Sequence, residues 1–259
     1  TAMRMIDERP AEVEDRLQAG HWEGDLIMGA GNRSAIGTLV ERTTRFLILL
    51  PFTEGVATTE GVRHAITAAM AELPAGLRRT LTWDQGKELA LHQQITTATG
   101  TDVFFCDAHS PWQRGSNENM NGLLRQYFPK GTDLSVHTVE DVVRIAAELN
   151  DRPRKTLGWQ RPADLVAAAT AVLNSNDGHT LLYTNGGPLT SNLLAHAGID
   201  RRIAPEDRRA DQGQGHELED RASVHDGVAR GVRRWVGDAR SAVGRRTDAA
   251  AARAVVDAA

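Results

Sequence analysis

"HWEGDLIMGA", residues 21–30, alternates with the period of an extended chain. Trp22, Leu26 and Met28 fall on one side, and Glu23, Asp25 and Ile27 fall on the other. The stretch reads as a strand, and Asp25 is its anomaly. Aspartate is depleted in strands. Burying an ionised carboxylate is costly unless it is paired or bound to a metal.

The rest of the first half organises around this strand. "SAIGTLVERTTRFLILLPF" (34–52) reads as two more strands joined by a tight turn at Arg42–Arg45. Residues 58–73 have helical spacing through Val62, Ala65, Ile66, Ala69 and Met70, with Thr59 as the expected N-cap. "RRTLTWDQG" (78–86) returns as a strand ending at Asp84. Residues 88–100 form a helix closed by Gly100, and "DVFFCDA" (102–108) forms another strand. "RGSNENMNGLLRQYFPKG" (114–131) and "TVEDVVRIAAELN" (138–150) read as helices, the second capped by Thr138 with Asp141 three residues on. The order βββ-α-β-α-β-α-α predicts an α/β fold with a mixed five-stranded sheet flanked by helices.

Composition divides the 259 residues near position 170. Ten of the twelve aromatics and all three lysines precede that point. Residues 171–259 are rich in Arg, Ala, Asp and Gly, and offer little large apolar surface to bury. Disorder or loose helix is the expectation there. We therefore divide the chain into a linker remnant at 1–20, a core at 21–170 and an extension at 171–259. The chain opens at Thr1 without a charged-then-apolar leader, and reads as a piece of a longer protein. No apolar run approaches the roughly 20 residues of a membrane span. The single cysteine, Cys106, excludes an internal disulfide and a cysteine-cluster zinc site, and fits an intracellular compartment. The nine histidines show no metal-ligand spacing. A net charge of −4 neither requires nor excludes nucleic acid as a partner.

Three acids stand out. Asp25 lies within an apolar strand, Asp84 ends one, and Glu118 opens a helix, where the helix dipole favours it in any case. Singly, each also reads as a structural acid. With the first and fourth strands adjacent at the sheet centre, Asp25 and Asp84 converge and the Glu118 helix packs across them. Repulsion among three carboxylates is relieved by hard divalent cations, Mg²⁺ or Mn²⁺. Two such ions support in-line phosphoryl transfer.

The blocks "GHWEGDLI", "TWDQGKE", "HSPWQRGSNENMNGLLRQYFPKGTDL" and "LNDRPRKTLGWQRPADL" resemble the catalytic core of bacterial insertion-sequence transposases of the IS-thirty family. The resemblance runs from about residue 8 to residue 169. It implies a ribonuclease-H-like fold and a DDE triad of Asp25, Asp84 and Glu118 holding two Mg²⁺ ions, with Mn²⁺ as substitute. It further implies cleavage of element ends and strand transfer into target DNA by a homo-oligomer in the bacterial cytoplasm, at the nucleoid. Asp84 and Glu118 are 34 positions apart, a spacing typical of that superfamily. Arg125, seven residues after Glu118, shares its helix face and is expected to reach a DNA phosphate. Arg114, Asn117, Asn119, Lys130, Arg154 and Lys155 are the further candidate DNA contacts. His109 and Gln113 lie in the loop approaching the DNA end. Trp83 and Trp112 are expected to pack rather than stack on bases. The family's amino-terminal helix-turn-helix region has no counterpart in residues 1–20. The rival readings are a ribonuclease-H-like nuclease and an inactive remnant that at most binds DNA or a full-length partner.

Overall fold

The protein is described by a computed structural model over residues 3–52 and 55–174. The helical expectation for the far end of the extension falls outside these residues. Five strands form one sheet: β1 (His21–Met28), β2 (Ala35–Glu41), β3 (Leu47–Pro51), β4 (Thr80–Trp83) and β5 (Asp102–Phe105), in the order β3-β2-β1-β4-β5. The first three pair antiparallel through short turns. β4 then pairs parallel to β1, and β5 parallel to β4. A parallel neighbour needs a crossover. Helix α2 (Thr59–Ala71) supplies the first and α3 (His92–Thr99) the second. This is the mixed sheet expected of a ribonuclease-H-like core.

The period-two reading of β1 holds in three dimensions. Trp22 joins Leu39, Leu50, Leu81, Trp83 and Phe105 in a core under α2 and α3. Ile27 joins Ile36, Val40 and Leu49 on the opposite face. There they meet Met120 and Leu124 of α4 (Gly115–Leu124), and Val142 and Ile145 of α5 (Val139–Asn150). Edge strand β3 is closed by a side chain: Asn150 accepts from the Leu47 N–H and donates to the Leu47 carbonyl, both at 2.8 Å. A buried amide thus satisfies the outward backbone groups of the first residue of this edge.

Caps follow local chemistry. Thr138 and Asp141 form a capping box at α5. The α2 cap is Thr58, one residue before the expected Thr59; its hydroxyl accepts from the Gly61 N–H at 3.0 Å. Gly100 ends α3 in the left-handed conformation, φ 72°.

Two boundaries differ from the sequence reading. Residues 4–16 are more than a linker, since they pair with the free edge of β5 and pack against the sheet. Met5 bridges Phe105, Arg4 lies over the Phe104 ring, and buried Arg9 donates to the Thr82 hydroxyl at 2.8 Å. The short helix α1 (Glu12–Asp15) buries Val13. At the other end, α6 (Pro162–Asn174) runs through the boundary placed at 170. Leu165 and Val166 anchor it. No helix among the described residues is long and apolar enough to cross a membrane.

Candidate active site

Register places the two aspartates. Glu23 of β1 pairs with Thr82 of β4. Asp25 lies two residues further along β1, and Asp84 is the first residue past the end of β4, so both emerge at the same end of the parallel pair. Gly24 permits this closeness: a Cβ there would lie 2.1 Å from the Trp83 ring, which packs directly against β1. A side chain at position 24 would wedge β4, and Asp84 with it, away from Asp25.

A single guanidinium joins the pair. Arg114 Nη1 lies 3.0 Å from Asp25 Oδ1, and Nη2 donates to Asp84 Oδ2 at 3.2 Å. Nη1 also donates to the Gly24 carbonyl at 2.9 Å. Burial opposes the charge on Arg114, but Asp25 and Asp84 outweigh it and hold its pKa above the ordinary value. Asp25 has a second tether, the Asn121 side-chain amide, which donates to Oδ2 at 3.0 Å.

Helix α4 is tied to β1 by a residue that sequence reasoning missed. Glu23 is fully buried, and its Oε2 accepts from the Ser116 and Asn117 backbone N–H groups at 2.8 and 2.9 Å. These are two of the orphan donors at the α4 start, where no residue next to the helix supplies a cap. Glu23 Oε1 faces Arg42 Nε at 3.5 Å. The carboxylate therefore sits between the positive end of α4 and a buried arginine, and a strand caps the helix. The available signal was its sequence: a second acid two residues before Asp25 on the same strand face.

Asn117 corrects an expectation. It is fully buried, donates to the Glu23 carbonyl at 2.8 Å and accepts from the Thr38 hydroxyl at 2.9 Å. It binds α4 to the sheet and has no surface to offer DNA. Arg154 is also drawn inward. It donates to the Leu149 carbonyl at 2.9 Å, and burial, then neighbouring Arg152, lowers its pKa. Asn119, Lys130 and Lys155 are exposed. Arg125 is half-buried, donating to the Met28 and Phe128 carbonyls at 3.3 Å each. Trp83 is buried as expected, but Trp112 is 71% exposed, so the packing expectation fails for it. Gln113 is tied to Asp107 by two 2.8 Å hydrogen bonds, and His109 takes a positive φ of 59°. Beside Asp84 and Arg114 these loops enclose a cleft of about 340 Å³, with Gln85, His109 and Pro111 in its wall.

The Glu118 side chain is exposed and makes no hydrogen bond or ion pair with the described residues. It lies one helical turn before Asn121, the α4 residue that meets Asp25. Among the described residues no three acidic, histidine or cysteine side chains are gathered closely enough to hold a metal. The aspartate pair itself has the right chemistry for one. Two carboxylates and the Gly24 carbonyl converge on one cationic group, and hard oxygen donors of this kind suit Mg²⁺ or Mn²⁺. Glu118 stands outside that set.

At the start of β1, away from Asp25, lie buried polar groups. Glu41 is fully buried, which pushes its pKa up. It accepts from the backbone of Gly20, His21, Thr43 and Thr44, so its oxygens are satisfied. Burial, then the charges of Arg79, Arg42 and Arg9, lowers the His21 pKa to about 4. Burial raises the Cys106 thiol to about 11, so it stays protonated at neutral pH.

Residues 15–111 match the model of the integrase core domain. That span holds Asp25 and Asp84 and ends before Glu118. The chain is 54% identical over 169 residues to the transposase for insertion sequence element IS1086 of Cupriavidus metallidurans, covering 65% of this chain and 49% of that protein. It is 47% identical over 167 residues to the InsI transposase for IS30C of Escherichia coli, covering 64% and 43%. A putative integrase of a Spiroplasma virus is 28% identical over 149 residues, covering 57% and 46%. The chain thus spans about half the length of the curated relatives it matches.

Proposed function

We propose that this chain carries an integrase core of the bacterial IS30 transposase type, and that it cleaves insertion-sequence ends and joins them to target DNA. The observation that carries this reading is the convergence of Asp25, on β1, and Asp84, just past the end of β4, on one guanidinium. The helix bearing Glu118 is locked to the same strand by Glu23.

Asp25, Asp84 and Glu118 are the catalytic and metal-holding residues in this reading. Two Mg²⁺ ions, when bound, supply the Lewis acidity for in-line phosphoryl transfer. The chain's own groups do the rest. Asn121 fixes the Asp25 carboxylate in its rotamer. Glu118, exposed one turn before Asn121 on α4, completes the metal-holding set in this reading. Arg114, Asn119, Arg125, Lys130 and Lys155 hold DNA phosphates, contacts that position without reading sequence. Water attacks in cleavage, and the DNA 3′-hydroxyl attacks in strand transfer. The complex on DNA is a homo-oligomer, acting at the bacterial nucleoid.

The test incubates the chain with a precleaved element end, a target plasmid and Mn²⁺. Strand-transfer product that disappears in Glu118→Gln is the expected result. Absence of product at every metal concentration, with DNA binding retained, would reduce this chain to a DNA-binding remnant.

A further inference from the structure

We propose that Arg114 is a built-in counter-cation of the aspartate pair, displaced when DNA phosphate captures it, so that metal and DNA bind this site cooperatively. The inference rests on the transposase reading above and adds a regulation to it. The Arg114 guanidinium reaches Asp25 at 3.0 Å, the Gly24 carbonyl at 2.9 Å and Asp84 at 3.2 Å. Its side chain is only 11% exposed. A metal shared by Asp25 and Asp84 has to occupy the space this guanidinium fills. Two cations that close, in a half-buried setting, repel strongly. Metal entry therefore requires Arg114 to leave.

The fold lets it leave. The contacts that hold α4 against the sheet do not involve Arg114: the Glu23 carboxylate on Ser116 and Asn117, Asn117 on the Glu23 carbonyl, and Asn121 on Asp25. Arg114 itself precedes the helix, with φ −120° and ψ 41°, so its side chain swings without unwinding α4. Its grip on the aspartates is also incomplete, because Arg114 Nε is buried with no hydrogen-bond partner. A guanidinium fork matches a phosphate better, in a bidentate and charge-assisted way. The cleft beside Asp84 is bounded by Arg114 itself, giving a phosphate a route to it.

Linkage then fixes the behaviour. If DNA removes the competing cation, metal affinity rises, and metal raises DNA affinity by the same factor. The experiment titrates Mn²⁺ into wild type and Arg114→Gln and reads free Mn²⁺ by electron paramagnetic resonance. Each titration is run with and without a short DNA duplex, and Mn²⁺ bound by the duplex alone is subtracted. Without DNA, Arg114→Gln should bind Mn²⁺ about tenfold tighter than wild type, within the usual range of coupling between sites. With DNA, wild type should tighten and the gap should close. Equal Mn²⁺ affinities of the two proteins without DNA would overturn the displacement alone. So would a wild-type affinity that DNA leaves unchanged, an arm that needs no variant and decides the matter if Arg114→Gln misfolds. Failure of both proteins to bind Mn²⁺ at all, with or without DNA, would take the metal-dependent reading down as well.

Discussion

Removing the Glu23 carboxylate should loosen α4 before it affects anything else in the sheet. Its Oε2 holds two buried N–H groups at 2.8 and 2.9 Å, and its Oε1 faces the buried Arg42 guanidinium at 3.5 Å. Glu23→Ala leaves both donors unpaired and Arg42 without its inner counter-charge. Each charge-assisted bond contributes about 1.5–3 kcal/mol, and breaking a buried ion pair costs about 3–5 kcal/mol. These terms overlap, so we expect a loss of about 3–5 kcal/mol in total for Glu23→Ala. Glu23→Gln keeps an oxygen for the two amides but loses the charge, and about 1–3 kcal/mol is expected. Urea unfolding with linear extrapolation reads both values. Hydrogen exchange supplies the local readout: Ser116 and Asn117 should lose protection relative to the β2–β3 amides in the alanine variant. A loss below about 1 kcal/mol for Glu23→Ala, or unchanged protection of Ser116 and Asn117, would refute the cross-element cap.

Four further outcomes follow from the same geometry. His21 is neutral in the folded protein down to about pH 4, whereas the unfolded chain protonates it near 6.5. The unfolded state therefore binds more protons in that window. Stability should fall as pH drops from 6.5 to 4, by up to about 3 kcal/mol, and His21→Gln should flatten this slope in pH-dependent urea melts. Gly24→Ala drives a methyl into the Trp83 ring and should cost at least about 1–3 kcal/mol; an unchanged thermal midpoint would contradict the wedge argument. Cys106 should resist thiol reagents in the native protein and react only on unfolding, which a dithionitrobenzoate time course measures. Arg125→Ala should weaken DNA binding and reduce the salt slope by about one phosphate contact. An unchanged slope would leave Arg125 as a brace between the Met28 and Phe128 carbonyls.

The alternation in residues 21–30 was sufficient to place the apolar residues of β1 on their correct faces. Strand periodicity is a local property, and the capping box at Thr138 is equally local. The adjacency of β1 and β4 followed from element order. Helix α6 escaped notice because "PADLVAAATAVLN" is too uniformly small and apolar to show a period.

What sequence could not supply was the rotation of α4 about its own axis against the sheet. That angle is set by contacts made far away in the chain, at Glu23 and Thr38. It turns Asn117 inward, leaves Glu118 and Asn119 at the surface, and directs Asn121 onto Asp25. The turn just before α4 likewise leaves Trp112 in solvent and brings Arg114 between the two aspartates. Sequence alone determined the sheet, its two faces and the strands that carry the two aspartates, because backbone periodicity and connection order are written locally. Only tertiary structure decided which charged group sits between those aspartates, because that depends on electrostatic and packing partners about 90 residues apart.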